Sequence, residues 1–334
     1  MRKLIAFGLL AAAIAAIVAV AAAANPRGSN GRVAFARFDP ARGDDFVYTA
    51  NPDGSQEQQL LSTGAEGPRW SPDGSRIVVG PHDADGNGRI DVSARIVNPE
   101  NGSYRDVPNP NPELFFLPCT GPWSPDGKRL TCEAFGNDDQ SVNGIYTLRS
   151  SDGGGLERVT TADPDGEDCA GDYSPNGKHL VFNRANYATG AFALFTLKLD
   201  GHGLRQITPS SSDQFFVNSA PDCGSWSPQG NEILFSAHVP SDQRSTVWSV
   251  HSDGTGLRQI PIPGCGGLRS DPTTIGCFSP SWSPDGSKII FDRRSAGQND
   301  VYTVNADGTG LSEVSGTPHD EGGPPDWGIH PLLP

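Results

Sequence analysis

Trp70-Ser-Pro-Asp-Gly74, Trp123-Ser-Pro-Asp-Gly127, Tyr173-Ser-Pro-Asn-Gly177, Trp226-Ser-Pro-Gln-Gly230 and Trp282-Ser-Pro-Asp-Gly286 are five copies of one pentapeptide. A sixth, degraded copy, Asp326-Trp327-Gly328, stands near the C-terminus. The copies are about 45 to 56 residues apart, the period of blades in a propeller. Each is a tight turn by composition. Pro fixes φ at the second position, Asp or Asn suits the third, and Gly takes the left-handed conformation that other residues resist. A short β-rich run follows every turn: Arg76-Ile-Val-Val79, Arg129-Leu-Thr-Cys132, His179-Leu-Val-Phe182, Glu232-Ile-Leu-Phe235 and Lys288-Ile-Ile-Phe291.

A second turn recurs later in each unit, as Asn51-Pro-Asp-Gly54, Asp152-Gly153, Asp200-Gly201, Asp253-Gly254 and Asp307-Gly308. Alternating strands such as Val247-Trp-Ser-Val250 precede it, and short strands such as Gly256-Leu-Arg-Gln-Ile260 follow. Each unit therefore holds four antiparallel strands with the aromatic residue on the innermost. Helical periodicity is absent after residue 25, so the chain is all-β. The first unit opens on its second strand, Arg32-Val-Ala-Phe35, and Trp327 has no strands after it. If the segment around Trp327 supplies the inner strand of the N-terminal blade, both open sheet edges disappear. The expectation is a six-bladed β-propeller closed by its C-terminal strand.

This aromatic-Ser-Pro-Asp-Gly-basic-x-Ile-x-Phe pattern, with its later Asp-Gly turn, resembles the TolB-type (PD40) propeller repeats over residues 31 to 329. The resemblance implies a fold firmly and a function weakly. TolB is periplasmic, carries an α/β domain before its propeller, and binds other envelope proteins. Here the first strand begins directly after the leader, which leaves no room for that domain. Related propellers accompany serine peptidase domains, but no such domain follows here.

Arg2 and Lys3 precede an apolar run, Leu4 to Ala24, that ends in an Ala-x-Ala exit. Residues 1–24 read as an export signal, with an uncleaved membrane anchor as the competing reading. Residues 25–334 form the propeller, placed outside the cytoplasm (periplasmic, cell-surface or secreted). Abundant turn formers, 41 Gly and 29 Pro, fit that architecture. A net charge of −14 argues against nucleic acid and favours cationic or metal partners. All six cysteines lie in the exported part and read as disulfides. Cys119 and Cys132 flank one turn symmetrically, Cys265 and Cys277 lie in one long connection, and elimination pairs Cys169 with Cys223. Free buried thiols are the alternative.

Asp83, Asp85, Asn87 and Asp91 recur at the spacing of a hairpin loop that wraps a hard cation, with the Arg89 carbonyl as a further ligand. The set is similar to the calcium hairpins of integrin-type propellers, and implies a structural Ca2+. A plain Asp-Gly-Asn loop with no metal is the alternative. The connections into the inner strands are acidic: Asp163, Asp165, Glu167, Asp168 and Asp172 in one, Asp222 in the next, Asp320, Glu321 and Asp326 in the last. They should converge on one mouth of the central channel and attract a cationic protein or peptide group, or simply form a solvated rim. Phe115, Phe116, Phe215 and Phe216 stand nearby, either as contact surface or as packing.

Catalysis has little support: there is no Gly-x-Ser-x-Gly elbow and no His-x-x-x-His spacing. The leading reading is a protein- or peptide-binding module. A metal-assisted hydrolase or lyase of envelope or extracellular polymers, and a calcium-stabilised carbohydrate-binding module, are the alternatives.

Overall fold

A computed structural model describes residues 28–81, 92–111, 113–116, 121–136, 139–163, 166–211, 215–218, 223–240, 242–268, 274–295, 298–315 and 324–333. Residues 1–24, read above as a leader, the whole proposed calcium loop (Asp83, Asp85, Asn87, Arg89, Asp91), Cys119, Asp165, Asp222, Asp320 and Glu321 lie outside these residues.

Six antiparallel sheets follow one another. Blade I joins Asp326–Trp327 to Val33–Asp39, Asp44–Ala50 and Gln58–Gln59. Blade II comprises Ala65–Trp70, Ile77–Pro81, Val92–Val97 and Tyr104–Pro108. Blade III is built from Leu114–Phe116, Arg129–Gly136, Gly144–Arg149 and Glu157–Arg158. Blade IV contains Gly166–Tyr173, His179–Asn186, Ala191–Lys198 and Arg205–Gln206. In blade V, both Phe216–Val217 and Ser225–Trp226 pair with Glu232–Val239, which continues to Asp242–His251 and Arg258–Gln259. Blade VI holds Gly276–Trp282, Lys288–Ser295, Gln298–Asn305 and Ser312–Glu313. The helical content of the described residues is a single 3-10 turn, Gln140–Val142.

The ring closes as the repeat frame requires. Val33 pairs with Trp327 and Ala34 with Asp326. Main-chain bonds from Gly31 N to Gly328 O (3.0 Å), Gly328 N to Arg32 O (3.0 Å) and Arg32 N to His330 O (2.9 Å) extend the seam. The Trp327 indole donates to Gly31 O at 2.9 Å. His330 then stacks on Trp70 of the next blade, with ring centroids 5.2 Å apart.

Two rings of side chains hold the blades together. Trp70, Trp123, Tyr173, Trp226, Trp282 and Trp327 are all at most 8% exposed and surround the axis. On the second strands, Phe35, Val79, Cys132, Phe182, Phe235 and Phe291 are buried to 1% or less. Burial of one such large side chain stabilises by about 1.5–3 kcal/mol. All four of these phenylalanines face an aromatic residue across the strand, Phe235 opposite Trp248, and Phe35–Tyr48, Phe182–Phe195 and Phe291–Tyr302 with ring centroids 5.7–6.4 Å apart.

The recurring turn is locked by its own side chains. In blade II, Ser71 Oγ donates to Asp73 Oδ1 (2.7 Å), Ser75 N donates to the same oxygen (3.0 Å), and Arg76 N donates back to Ser71 Oγ (2.9 Å). Gly74 has φ +68°, and a Cβ there would press on Ile329 and His330 of the closing tail. The turn glycine thus serves both the turn and the closure.

Candidate functional site

Strand direction gives the propeller two unlike faces. Each inner strand runs from one mouth of the channel, where the connections arrive, to the other, where the aromatic residue and the Ser-Pro turn sit. The residue before each aromatic lines the wall between them: Arg69, Pro122, Asp172, Ser225, Ser281 and Asp326. Asp172 and Asp326 stand on opposite sides of this ring, in blades IV and I. Each accepts the main-chain N–H of the next blade's aromatic residue, Asp172 from Trp226 at 3.1 Å and Asp326 from Trp70 at 2.7 Å. These carboxylates therefore stitch neighbouring blades as well as line the channel. Burial pushes the Asp172 carboxyl up to about 6, opposed by the Arg69 charge and reinforced by Asp326. Burial also raises Asp326, again opposed by Arg69.

The channel is narrow. Its cavity near the aromatic ring is about 70 Å³ and the adjoining one about 30 Å³, room for a few water molecules. No extended peptide threads such a passage, which leaves the outer surfaces of the propeller for a macromolecular ligand.

At the loop mouth, the acidic residues named from the sequence separate into distinct roles. Asp168 is held bidentately by Arg184, at 2.7 and 2.8 Å, with its side chain fully buried. Arg184 also lies over the Phe182 and Phe195 rings. This pair fixes the inner strand of blade IV and presents no net charge outward. Asp163 accepts from the Asn186 side chain at 3.2 Å, which ties the incoming connection to the neighbouring strand. Glu167 has no basic partner among the described residues, and its carboxylate lies beside the Tyr187 hydroxyl. Tyr187, 55% exposed, sits on the hairpin beside it. Burial, then the neighbouring Glu167 carboxylate, raises the Tyr187 phenol above its ordinary range.

From Tyr187 an aromatic row crosses to blade V. Its ring separations are 6.0 Å to Phe192, 5.6 Å from Phe192 to Phe216, and 4.9 Å from Phe216 to His238. Phe192, Phe216 and His238 are half-buried. Phe215 instead turns inward against Phe235 and Trp248. Of the two phenylalanines weighed there from sequence, one packs and one lies in the row; the side chains of Phe115 and Phe116 lie outside the description.

Below this shelf, Glu133 reaches from the second strand of blade III into blade IV, where it accepts Ala170 N at 2.9 Å. Burial, with the Glu167 and Asp168 charges adding, pushes its carboxyl up to about 8 against that hydrogen bond. The equivalent residue one blade on, Asn183, reaches into blade V in the same way, donating to Asn218 O at 2.5 Å. Cys169 and Cys223 form a disulfide between the inner segments of blades IV and V, and Cys265 and Cys277 form another. Cys132 is also disulfide-bonded, and no described cysteine is a free thiol.

Arg69, Glu133 and Tyr187 were not singled out from sequence. Arg69 had a legible signal, because it holds the same repeat position as Asp172 and Asp326. Glu133 had none, because its partner Ala170 comes from the next blade, and Tyr187 had none, because it meets Glu167 only through the pairing of distant strands within blade IV.

The order of the strands, six blades and a C-terminal seam decide the architecture. The fold is that of the TolB-type propellers. TolB from Acinetobacter baumannii superposes with a TM-score of 0.63 at 19% identity, over 89% of this chain and 66% of that one. This chain thus spans just under two thirds of that relative. A putative TolB from Agrobacterium tumefaciens gives 0.60 at 17% identity, over 88% of this chain and 92% of that one. The same propeller architecture is seen in an oligogalacturonate lyase from Vibrio parahaemolyticus, with a TM-score of 0.53 at 13% identity over 84% and 78% of the two chains. In sequence, an uncharacterized protein of Agrobacterium fabrum is 26% identical over 270 residues, covering 68% of this chain and 84% of the relative. No protein-family model matches the chain. The TolB-type fold hosts binding proteins and enzymes alike, so function must be argued from the site.

Proposed function

We propose that this TolB-type propeller is an extracytoplasmic binding module that captures a cationic protein or peptide segment at its loop mouth. The observation that carries this is the pairing of Glu167, which lacks a basic partner among the described residues, with exposed Tyr187 at the head of an aromatic row. A guanidinium or ammonium group can pair with the carboxylate while its stem lies on the aromatic faces. The channel supports the same reading by being too narrow to admit a chain. Disulfides among the described cysteines support an oxidising compartment. An anionic mouth repels acidic sugar polymers unless a bound metal compensates, so the lyase alternative requires a metal at that mouth.

The test is fluorescence anisotropy with a labelled Lys/Arg-rich peptide and its Glu-rich counterpart. The basic peptide is expected to bind and to weaken steeply with salt. Glu167→Gln combined with Tyr187→Ala should weaken it roughly 5- to 30-fold, given about 1–2 kcal/mol for one charge pair plus one aromatic contact. Arg76→Ala, on the opposite face, should change nothing. Equal binding of both peptides, or indifference to Glu167→Gln/Tyr187→Ala, would exclude this function.

A further inference from the structure

Beneath the shelf, three segments from three blades meet. Glu133 comes from the second strand of blade III, Cys169 from the inner strand of blade IV and Cys223 from the inner segment of blade V. The two Sγ atoms and a Glu133 carboxylate oxygen lie within 4.8 Å of one another. No other set of His, Cys, Asp and Glu among the described residues brings three ligand atoms this close. In the oxidised protein the sulfurs are joined, and Glu133 is a half-buried carboxyl with one main-chain hydrogen bond and no basic partner among the described residues. A carboxyl in that position costs folding energy that Gln or Leu would avoid.

We propose that Cys169, Cys223 and Glu133 form a redox-gated site for a thiophilic divalent cation, Zn2+ in the first instance, which opens when the Cys169–Cys223 disulfide is reduced. The chemistry balances. An external dithiol reductant supplies two electrons and two protons, the S–S bond breaks, and the reductant leaves as its own disulfide. Binding of the cation then releases the thiol protons, together with the Glu133 proton where it is held. Two thiolates and one carboxylate suit tetrahedral Zn2+, with a fourth position left for water. The Cα atoms of Cys169 and Cys223 are 5.5 Å apart, so separating the sulfurs to ligand spacing requires side-chain rotation and no rearrangement of the strands. The backbone at this junction is already fixed. Asp172 N donates to Gly224 O at 3.1 Å, and a Cβ at Gly171 would strike the Cys223 carbonyl. Transfer of two electrons to an external disulfide re-forms the S–S bond and removes both thiolates, so the disulfide acts as the lock on the site.

The experiment titrates Co2+ and then Zn2+ into the full-length protein, oxidised and after reduction with a phosphine that is then removed anaerobically. The reduced protein should show a thiolate-to-Co2+ charge-transfer band that Zn2+ abolishes, and Zn2+ should raise its melting temperature; the oxidised protein should show neither. Glu133→Gln, which keeps shape and removes charge, should weaken Zn2+ by on the order of tenfold or more. Cys169→Ser/Cys223→Ser should abolish the band, while Cys265→Ser/Cys277→Ser and Cys119→Ser/Cys132→Ser retain it. No band in the reduced protein, a band undiminished in Cys169→Ser/Cys223→Ser, or equal affinity in Glu133→Gln would overturn the proposal. So would loss of the near-ultraviolet dichroism on reduction that Zn2+ does not restore.

Discussion

Truncating Trp327 to Ala tests ring closure where it is most exposed to failure, because this one side chain belongs to the two-residue strand that completes blade I. The indole is 5% exposed and packs with Val33, Phe35, Ile290 and Val301. Removing a buried aromatic ring costs about 3–5 kcal/mol. The lost indole N–H also leaves Gly31 O, its acceptor at 2.9 Å, without that bond, adding roughly 1 kcal/mol. The expected loss is therefore about 4–6 kcal/mol, a factor on the order of 10³–10⁴ in the folding equilibrium. Trp327→Phe keeps the ring and loses the donor, and should cost only about 1–2 kcal/mol. Tyr104→Ala, at a residue 47% exposed whose ring carries the Arg95 guanidinium at 3.9 Å, is the control and should cost no more than about 1 kcal/mol. Equilibrium urea unfolding followed by fluorescence and far-ultraviolet dichroism measures all three. If Trp327→Ala shifts the midpoint no more than Tyr104→Ala, the C-terminal strand does not close the ring in solution.

Glu133 makes stability depend on pH in a stated direction. Its folded carboxyl is raised from 4.5 to about 8, so its contribution is complete below about pH 4.5 and is lost as pH rises through 8. That loss should amount to roughly 2–4 kcal/mol after solvent screening, and Glu133→Gln should flatten the pH 5–8 profile and melt above the parent at pH 8. A flat parental profile would show that the carboxyl is not held protonated. Replacing both cysteines of Cys169–Cys223, separated by 54 residues, should cost about 4 kcal/mol by chain entropy, against about 3 for Cys265–Cys277 at a separation of 12; thermal unfolding ranks the two, and the reverse order would refute the entropic account. The Asp83–Asp91 loop is proposed from sequence to hold Ca2+. Chelation should then lower the melting temperature of the parent and leave Asp85→Ala unmoved, and an indifferent parent rules that metal out.

The architecture was legible because it is repeated. Five Ser-Pro turns gave the period, and the missing inner strand of the first unit, with the surplus Trp327, gave the closure. The split inner segments of blade V were not legible. Phe216–Val217 and Ser225–Trp226 take one edge of the same strand, and the sequence between them has no periodicity. The site was legible in composition and illegible in partnership. One acidic stretch yields Asp168 neutralised by Arg184, Asp172 in the channel wall and Glu167 on the outer shelf. Alternation along a strand separates such neighbours, but sequence does not say which of them meets a cation from another strand.

A ligand held at the loop mouth must cover the inner strand and hairpin of blade IV. Hydrogen exchange of the protein saturated with the Lys/Arg-rich peptide examines this most directly. Slowed amides are expected along Gly166–Gly171 and in the Asn186–Phe192 hairpin, with no change at the Ser-Pro turns of residues 71–74 and 124–127. Protection confined to those turns, with the blade IV strand and hairpin unaffected, would place the ligand on the opposite face and contradict the assignment.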